Sequence, residues 1–285
     1  MAIGYADLDH VVAPVASLAA GTAALEALGL VAAPVQEALG ERGETHPIAG
    51  LRHFVFAPAA GRADLANMVV LLELAPGRPG PPGPVAVCAA ADLEPVHGAM
   101  VRAGIAAGAV TDVEPRVWRD PGSGAEFAVR ARRLAMSPDA PIVLNGSQAG
   151  DLRGYHHAPW QAHPGGVIRL AGVTFAGGDP SADAAWLAAT VFAGEARPEG
   201  GGGWLVWPRD LFVRVEPAGE RPAGALTAVT LLVGDAGAFA DAPRGWARVA
   251  APARAGITLR SADLPLDLTL VDEALLASLP GAPGS

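Results

Sequence analysis

Alternation and helical periodicity divide the chain into repeated units. Leu8-Asp9-His10-Val11-Val12 opens a strand over Leu8–Val15, with Leu8, His10 and Val12 on one face and Asp9, Val11 and Ala13 on the other. Ser17 follows as a helix N-cap, Leu18, Leu25 and Leu28 form an apolar stripe, and Gly29 is the stop signal. Leu30–Val35, Leu51–Ala57 and Met68–Leu74 are extended, which completes the order βαβββ. The second unit repeats it: a strand at Val85–Ala90, a helix from Leu93 to Ala103 capped by Asp92 and ended by Gly104, then strands at Val110–Trp118, Glu126–Arg132 and Pro141–Asn145. The third has a strand at Ile168–Phe175, a helix start at Asp179-Pro180, Trp186 within that helix and its end near Gly194. Strands at Gly203–Trp207 and Leu211–Glu216 follow the glycine run Gly200–Gly203, whose plain meaning is a flexible hairpin. The fourth comprises Leu226–Val233, a short helix from its cap Asp235 through Phe239, and strands at Trp246–Ala250, Gly256–Leu259 and Leu266–Val271. Pro280-Gly281-Ala282-Pro283 reads as a frayed tail. The expected class is α+β, four βαβββ units in tandem, divided into an N-terminal half (1–150) and a C-terminal half (151–285).

Parity within the first unit points to chemistry. On its third strand Phe54 and Phe56 share a face, which leaves His53 and Val55 opposite; on its fourth, Val70, Leu72 and Leu74 leave Val69, Leu71 and Glu73 opposite. If the bulky faces cover the helix, His10, His53 and Glu73 converge on the other side of the sheet. Imidazole and carboxylate from different strands suit a borderline divalent metal. Spacing alone leaves the alternative open, with His10 a hydrogen-bonded core histidine and Glu73 a strand-end carboxylate paired with Arg52 or Arg78.

Two connectors separate the units. Arg78 to Pro84 is a stiff proline- and glycine-rich link, and Tyr155 to Gly166 bridges the halves with three histidines, His156, His157 and His163. No carboxylate or cysteine stands near those histidines to complete a metal set, so the stretch reads as a loop.

Composition narrows the function. The chain has 285 residues, 51% hydrophobic and 17% charged, enough for a sizeable core and against disorder. A net charge of −9 offers no broad basic face, so nucleic acid is not an expected partner. Every basic residue other than histidine is arginine, which excludes a Walker phosphate loop and lysine Schiff-base chemistry and matches the habit of a GC-rich, bacterial-like genome. The lone Cys88 lies in an apolar run and reads as a buried structural thiol. With no basic leader and no membrane-length apolar span, a cytoplasmic, soluble protein with no membrane partner is expected.

Four βαβββ units, the first carrying Leu8-Asp9-His10-Val11-Val12 and Leu71-Leu72-Glu73-Leu74, resemble the vicinal oxygen chelate superfamily and its glyoxalase-like group. His46-Pro47-Ile48-Ala49-Gly50-Leu51-Arg52-His53 is similar to that group's His-Pro…Gly-Thr-x-Asn segment, departing from it at Leu51 and His53; Asp120-Pro121-Gly122 and His163-Pro164-Gly165-Gly166 match further segments. The resemblance implies cup-shaped mixed sheets of the glyoxalase/dihydroxybiphenyl dioxygenase kind, formed by paired units. It also implies a divalent metal (Zn, Fe, Mn or Ni) that binds substrate oxygens for lyase, isomerase or dioxygenase chemistry. Carried over, His10 and Glu73 are metal ligands, with His53 as the third and Glu73 as the proton-moving group; Arg52, Trp118 and Asn145 are expected at the substrate. The partner positions depart from the pattern: Val85 and Asn145, Gly172 and Glu216, Ala228 and Asp272. The competing expectation is a metal-free small-molecule binder of the same fold, with Trp118, Trp160, Trp204 and Trp207 as stacking candidates. A small-molecule ligand and a homodimer are the expected partners.

Overall fold

A computed structural model describes residues 2–34, 37–38, 48–58, 62, 64–77, 83–113, 116–119, 123–137, 139–150, 152, 155–251 and 255–283. The first unit comprises β1 (Asp7–Val15), α1 (Leu18–Glu26), β2 (Glu37–Ala38), β3 (Ile48–Val55) and β4 (Met68–Leu74). The second comprises β5 (Val85–Ala89), α2 (Leu93–Arg102), β6 (Thr111–Asp112), β7 (Arg116–Arg119), β8 (Glu126–Val129), β9 (Ala131–Leu134) and β10 (Leu144–Ala149). A single turn, α3 (Ala158–Gln161), lies in the connector. The third unit has β11 (Val167–Gly177), α4 (Pro180–Trp186, running on as a π-helical turn Leu187–Phe192), β12 (Ala196–Pro198), β13 (Trp204–Val206) and β14 (Phe212–Pro217). The fourth has β15 (Leu226–Val233), a 3-10 turn at Ala236–Phe239, β16 (Ala247–Arg248), β17 (Ile257–Arg260) and β18 (Asp267–Val271), after which comes α5 (Glu273–Ala277).

The expected caps form. Ser17 accepts the Ala20 N–H, Asp92 the Glu94 N–H and Asp179 the Ala182 N–H, each satisfying a donor left over at a helix start.

Units pair in sequence order. One sheet runs β3-β4-β1-β5-β10-β9-β6 and the other β12-β13-β14-β11-β15-β18-β17-β16. Within each unit the first strand lies parallel to the last, and the two units join antiparallel through their first strands, β1 to β5 and β11 to β15. The result is two curled mixed sheets, an α+β fold with cup-shaped halves.

Each sheet is apolar on both faces, and the faces have different tasks. The sides facing the helices share one core across both halves, with Val11 and Leu71 of one sheet and Val173 and Leu231 of the other packed on α1, α2 and α4. The concave sides carry separate smaller clusters, one around Val55, Val70 and Trp160, the other around Leu205, Phe212 and Leu276.

Extended and terminal expectations change: the stretches read as single strands at Val110–Trp118 and Glu126–Arg132 each contribute to two sheets, β6 and β9 to the larger one and β7 and β8 to a small one. Leu30–Pro34 forms no strand: Val31 N–H goes to the His163 ring and Ala33 N–H to the His53 carbonyl, while the two-residue β2 pairs instead with β7 in a small sheet β2-β7-β8. The tail after Val271 is packed rather than frayed. Asp272 caps α5 through the Leu275 N–H, Leu276 and Leu279 are buried in the C-terminal cup, and Trp207 Nε1 donates to the Pro280 carbonyl at 2.9 Å.

Candidate functional site

The strict alternation expected for β1 breaks near its start. Its register with β5 steps between Leu8↔Cys88 and His10↔Val87, so Asp9 is the extra residue of a β-bulge. Leu8 therefore remains with the helix-side core, while Asp9, His10 and Val12 all line the concave face.

A cavity of about 460 Å³ opens on that face, the size range of small-molecule sites. Its floor is apolar, made by Val12 of β1, Met68 and Val70 of β4, and Val85 and Val87 of β5. His10 and His53 stand toward one side; Asn145 and Ser147 of β10 and Arg133 of β9 stand toward the other. Leu152 and Tyr155, from the connector, close the cup, and the Tyr155 ring centroid is 6.2 Å from that of His53.

The polar centre is the Asp9–His10 pair. Asp9 is 3% exposed; its Oδ1 accepts the Ala66 N–H at 2.6 Å and its Oδ2 accepts from His10 Nδ1 at 2.7 Å. A carboxylate can only accept, so the Nδ1 proton sits between them and Nε2 is the nitrogen that can meet a ligand. Asp9 thus fixes both tautomer and ring orientation.

Beside this pair lies a second buried charge group. Arg62 Nη1 donates to Asp7 Oδ2 at 2.7 Å and to Asp210 Oδ2 at 2.8 Å, and its Nε donates to Asp64 at 3.0 Å. Burial pushes the Asp7 carboxyl upward despite the Arg62 hydrogen bond, whereas that guanidinium holds Asp64 down. The cluster ties β1, Arg62 and Asp64 onto the C-terminal half through Asp210.

Three of the expected site residues meet in the cavity: His10, His53 and Asn145. Asn145 Oδ1 also accepts the Met136 N–H at 3.3 Å. Glu73 is on the opposite face. In β4 it is Val69 and Leu71 that pack toward the helices and Val70 and Leu72 that line the cup, the reverse of the expected assignment. Glu73 follows Leu71, and its Oε2 accepts the Leu18 N–H at 2.6 Å, at the first turn of α1. Both faces of β4 are hydrophobic, so hydropathy carried no information about which one met the helix. Arg52 alternates with His53, turns away from the cup and donates from Nη1 to the Ala33 carbonyl at 3.3 Å. Trp118 contributes backbone to β7, and its side chain is outside the described residues, as are His46, Pro47, Arg78 and Asp120-Pro121-Gly122.

The stacking candidates take structural places. Trp160 is buried in the apolar cluster of the N-terminal cup, with His157 edge-on at 4.7 Å; Trp207 packs on Phe212 in the other half, and Trp204 packs against the shared core. Cys88 is fully buried in the shared core, and burial raises its thiol well above the usual range. Asp9, Ser147, Arg133 and Tyr155 were not singled out from sequence. For Asp9 the available signal was the Asp-His dipeptide itself, hidden by the assumption of unbroken alternation.

The architecture is a glyoxalase-like fold: βαβββ units paired through their first strands into cups. Among solved structures the chain is similar to a 2,3-dioxygenase, LapB, from Pseudomonas sp. KL28 (13% identity, TM-score 0.57, covering 94% of this chain and 93% of that one). It is also similar to a Mn(II)-bound glyoxalase from Novosphingobium aromaticivorans (16%, 0.54, 95% and 83%) and to a hypothetical protein from Staphylococcus aureus (9%, 0.58, 93% and 99%). No protein-family model and no curated protein matches the sequence.

Proposed function

We propose that the N-terminal cup is the working site of a glyoxalase-like enzyme acting on a small oxygenated organic molecule, with the Asp9–His10 pair as its acting group. The observation that carries this reading is the 2.7 Å contact that holds His10 by Nδ1 at the edge of a largely apolar cavity. Nε2 can take a proton from bound substrate while the Asp9 carboxylate stabilises the imidazolium formed, a contribution on the order of 10²–10⁴ in rate for a positioned base. Asn145 and Ser147 supply hydrogen-bonding groups across the cup, and the apolar floor strengthens each polar contact by excluding water.

A divalent metal is the group this fold implies, and one structural neighbour is Mn(II)-bound. A catalytic centre needs about three protein ligands. Among the described residues no group of three His, Cys, Asp or Glu side chains is placed to hold an ion: Glu73 caps α1 and both Asp9 oxygens are engaged. The described residues therefore do not complete such a centre, and His10 with Asp9 is the acting group.

The test is a ligand screen on the purified protein by thermal shift and by mass spectrometry of co-purifying molecules, followed by turnover assays and elemental analysis. We expect a hit that is lost when Val87→Trp fills the cup, and turnover that falls roughly 100-fold or more in His10→Ala while the fold persists. A ligand bound without turnover identifies a sequestering protein instead. Stoichiometric Zn, Fe, Mn or Ni lost in both His10→Ala and His53→Ala would replace the base by a metal held by those two histidines.

A further inference from the structure

The side-chain row across the cup has two unlike ends, and this asymmetry describes the ligand. Following the register, His10 lies beside Val87 and Val87 beside Asn145; two residues further along β10, Ser147 lies beside Arg133. Leu134 packs into the helix-side core, so by alternation Arg133 points to the other face; Arg132 and Arg133 both border the cavity, and what separates them is their partners. Arg132 is engaged, donating from Nη2 to Glu94 at 2.6 Å with Asp112 3.6 Å from its Nε. Arg133 has no carboxylate partner among the described residues; its Nε reaches only the Thr111 hydroxyl, at 3.3 Å. Arg133 is exposed and borders a cavity whose floor is valine and methionine.

We propose, resting on the reading of the cup as the working site, that the ligand is an organic acid. Its carboxylate lies against Arg133, its apolar body covers Val87, Val85 and Val12, and its reacting oxygenated end meets His10. An arginine fork matches a carboxylate bidentately, and an otherwise acidic chain of net charge −9 gains a local attraction for an anion at Arg133, which has no carboxylate partner among the described residues. β1 and β9 are three strand spacings apart, about 14 Å along the sheet and less across its hollow side. That span suits an aryl or medium-chain acyl body rather than a two- or three-carbon acid.

The probes are 3-phenylpropanoate and its uncharged counterpart 3-phenylpropan-1-ol, titrated into the full chain at low salt with calorimetry. The acid should bind roughly tenfold more tightly than the alcohol, and Arg133→Gln should abolish that preference while leaving the alcohol's affinity unchanged. Arg132→Gln should retain it, and added salt should reduce it. Equal binding of acid and alcohol, both lost in Val87→Trp, overturns the organic-acid assignment and leaves the cup reading standing. A preference that survives Arg133→Gln overturns it as well. Failure of both probes to bind the wild type overturns the organic-acid assignment, while the cup reading stands or falls on the ligand screen and Val87→Trp.

Discussion

His163 shows how much one side chain in a loop can be asked to hold. Its Nδ1 accepts the Val31 N–H at 2.9 Å, so Nε2 carries the proton that it donates to the Val55 carbonyl, also at 2.9 Å. The neutral ring thereby stitches the connector to the end of β3 and to the segment after α1. Burial lowers its pKa below the ordinary 6.5, only partly opposed by the Val55 hydrogen bond. The unfolded chain then binds a proton that the folded one resists, so this contribution is complete above about pH 6.5 and is lost as pH falls toward the folded value. We predict that the urea midpoint drops between about pH 8 and pH 5, and that the drop is smaller in His163→Gln, which keeps a donor and an acceptor but does not titrate. Sequence placed three histidines in a loop; that one of them is a neutral clasp depends on two backbone groups more than a hundred positions away, Val31 and Val55.

At the scale of the element, β1 and β4 decide the site. The bulge at Asp9 brings two adjacent polar side chains to one face, and β4 supplies valine and leucine to both faces while its only carboxylate goes to a helix. Glu73 is a long-range cap for α1, adding a carboxyl acceptor to the Ser17 hydroxyl at the positive end of the helix. Glu73→Gln is accordingly expected to cost about 1 kcal/mol in chemical denaturation and to leave ligand affinity in the cup unchanged. A loss of ligand or metal with unchanged stability would restore it to the site. α5 makes the same point in the other half. The Asp272 cap and the spacing of Leu276 and Leu279 are readable, but a proline- and glycine-rich end concealed the fact that the open C-terminal cup was there to receive them.

Over the whole molecule, the two halves meet through their helix layers and through backbone contacts that include Ile3 N–H to the Thr190 carbonyl at 2.7 Å and a close approach of two glycines. Gly165 N–H donates to the Gly29 carbonyl at 3.2 Å, and Gly29 sits at φ +77° where α1 ends. A Cβ on Gly165 would run into the Leu28 carbonyl oxygen and the Gly29 Cα, both backbone atoms with no rotamer to move. Gly165→Ala should therefore destabilise the protein by roughly 2–4 kcal/mol, whereas Gly200→Ala, with open space around it, should change stability by less than about 0.5 kcal/mol. Equilibrium denaturation of the two variants measures the difference. Trp246, whose Nε1 donates to the Ala24 carbonyl at 2.9 Å, reinforces the same junction from the fourth unit.

The sequence by itself determined the four-fold recurrence of a first strand, a helical segment and a closing strand, the helix caps, the inward face of β3 with His53, and the presence of His10 on the concave side, because these depend on local periodicity and capping chemistry. Only the tertiary structure decided which face of β4 looked into the cup, since a strand that is apolar on both sides has no hydropathic signal for its orientation. The same holds for the Asp9–His10 pair, which a one-residue bulge created, and for Arg133, whose meaning comes from standing opposite His10 across three strand spacings. Those facts were decided by packing between distant segments; only the Asp-His dipeptide left a local trace of them.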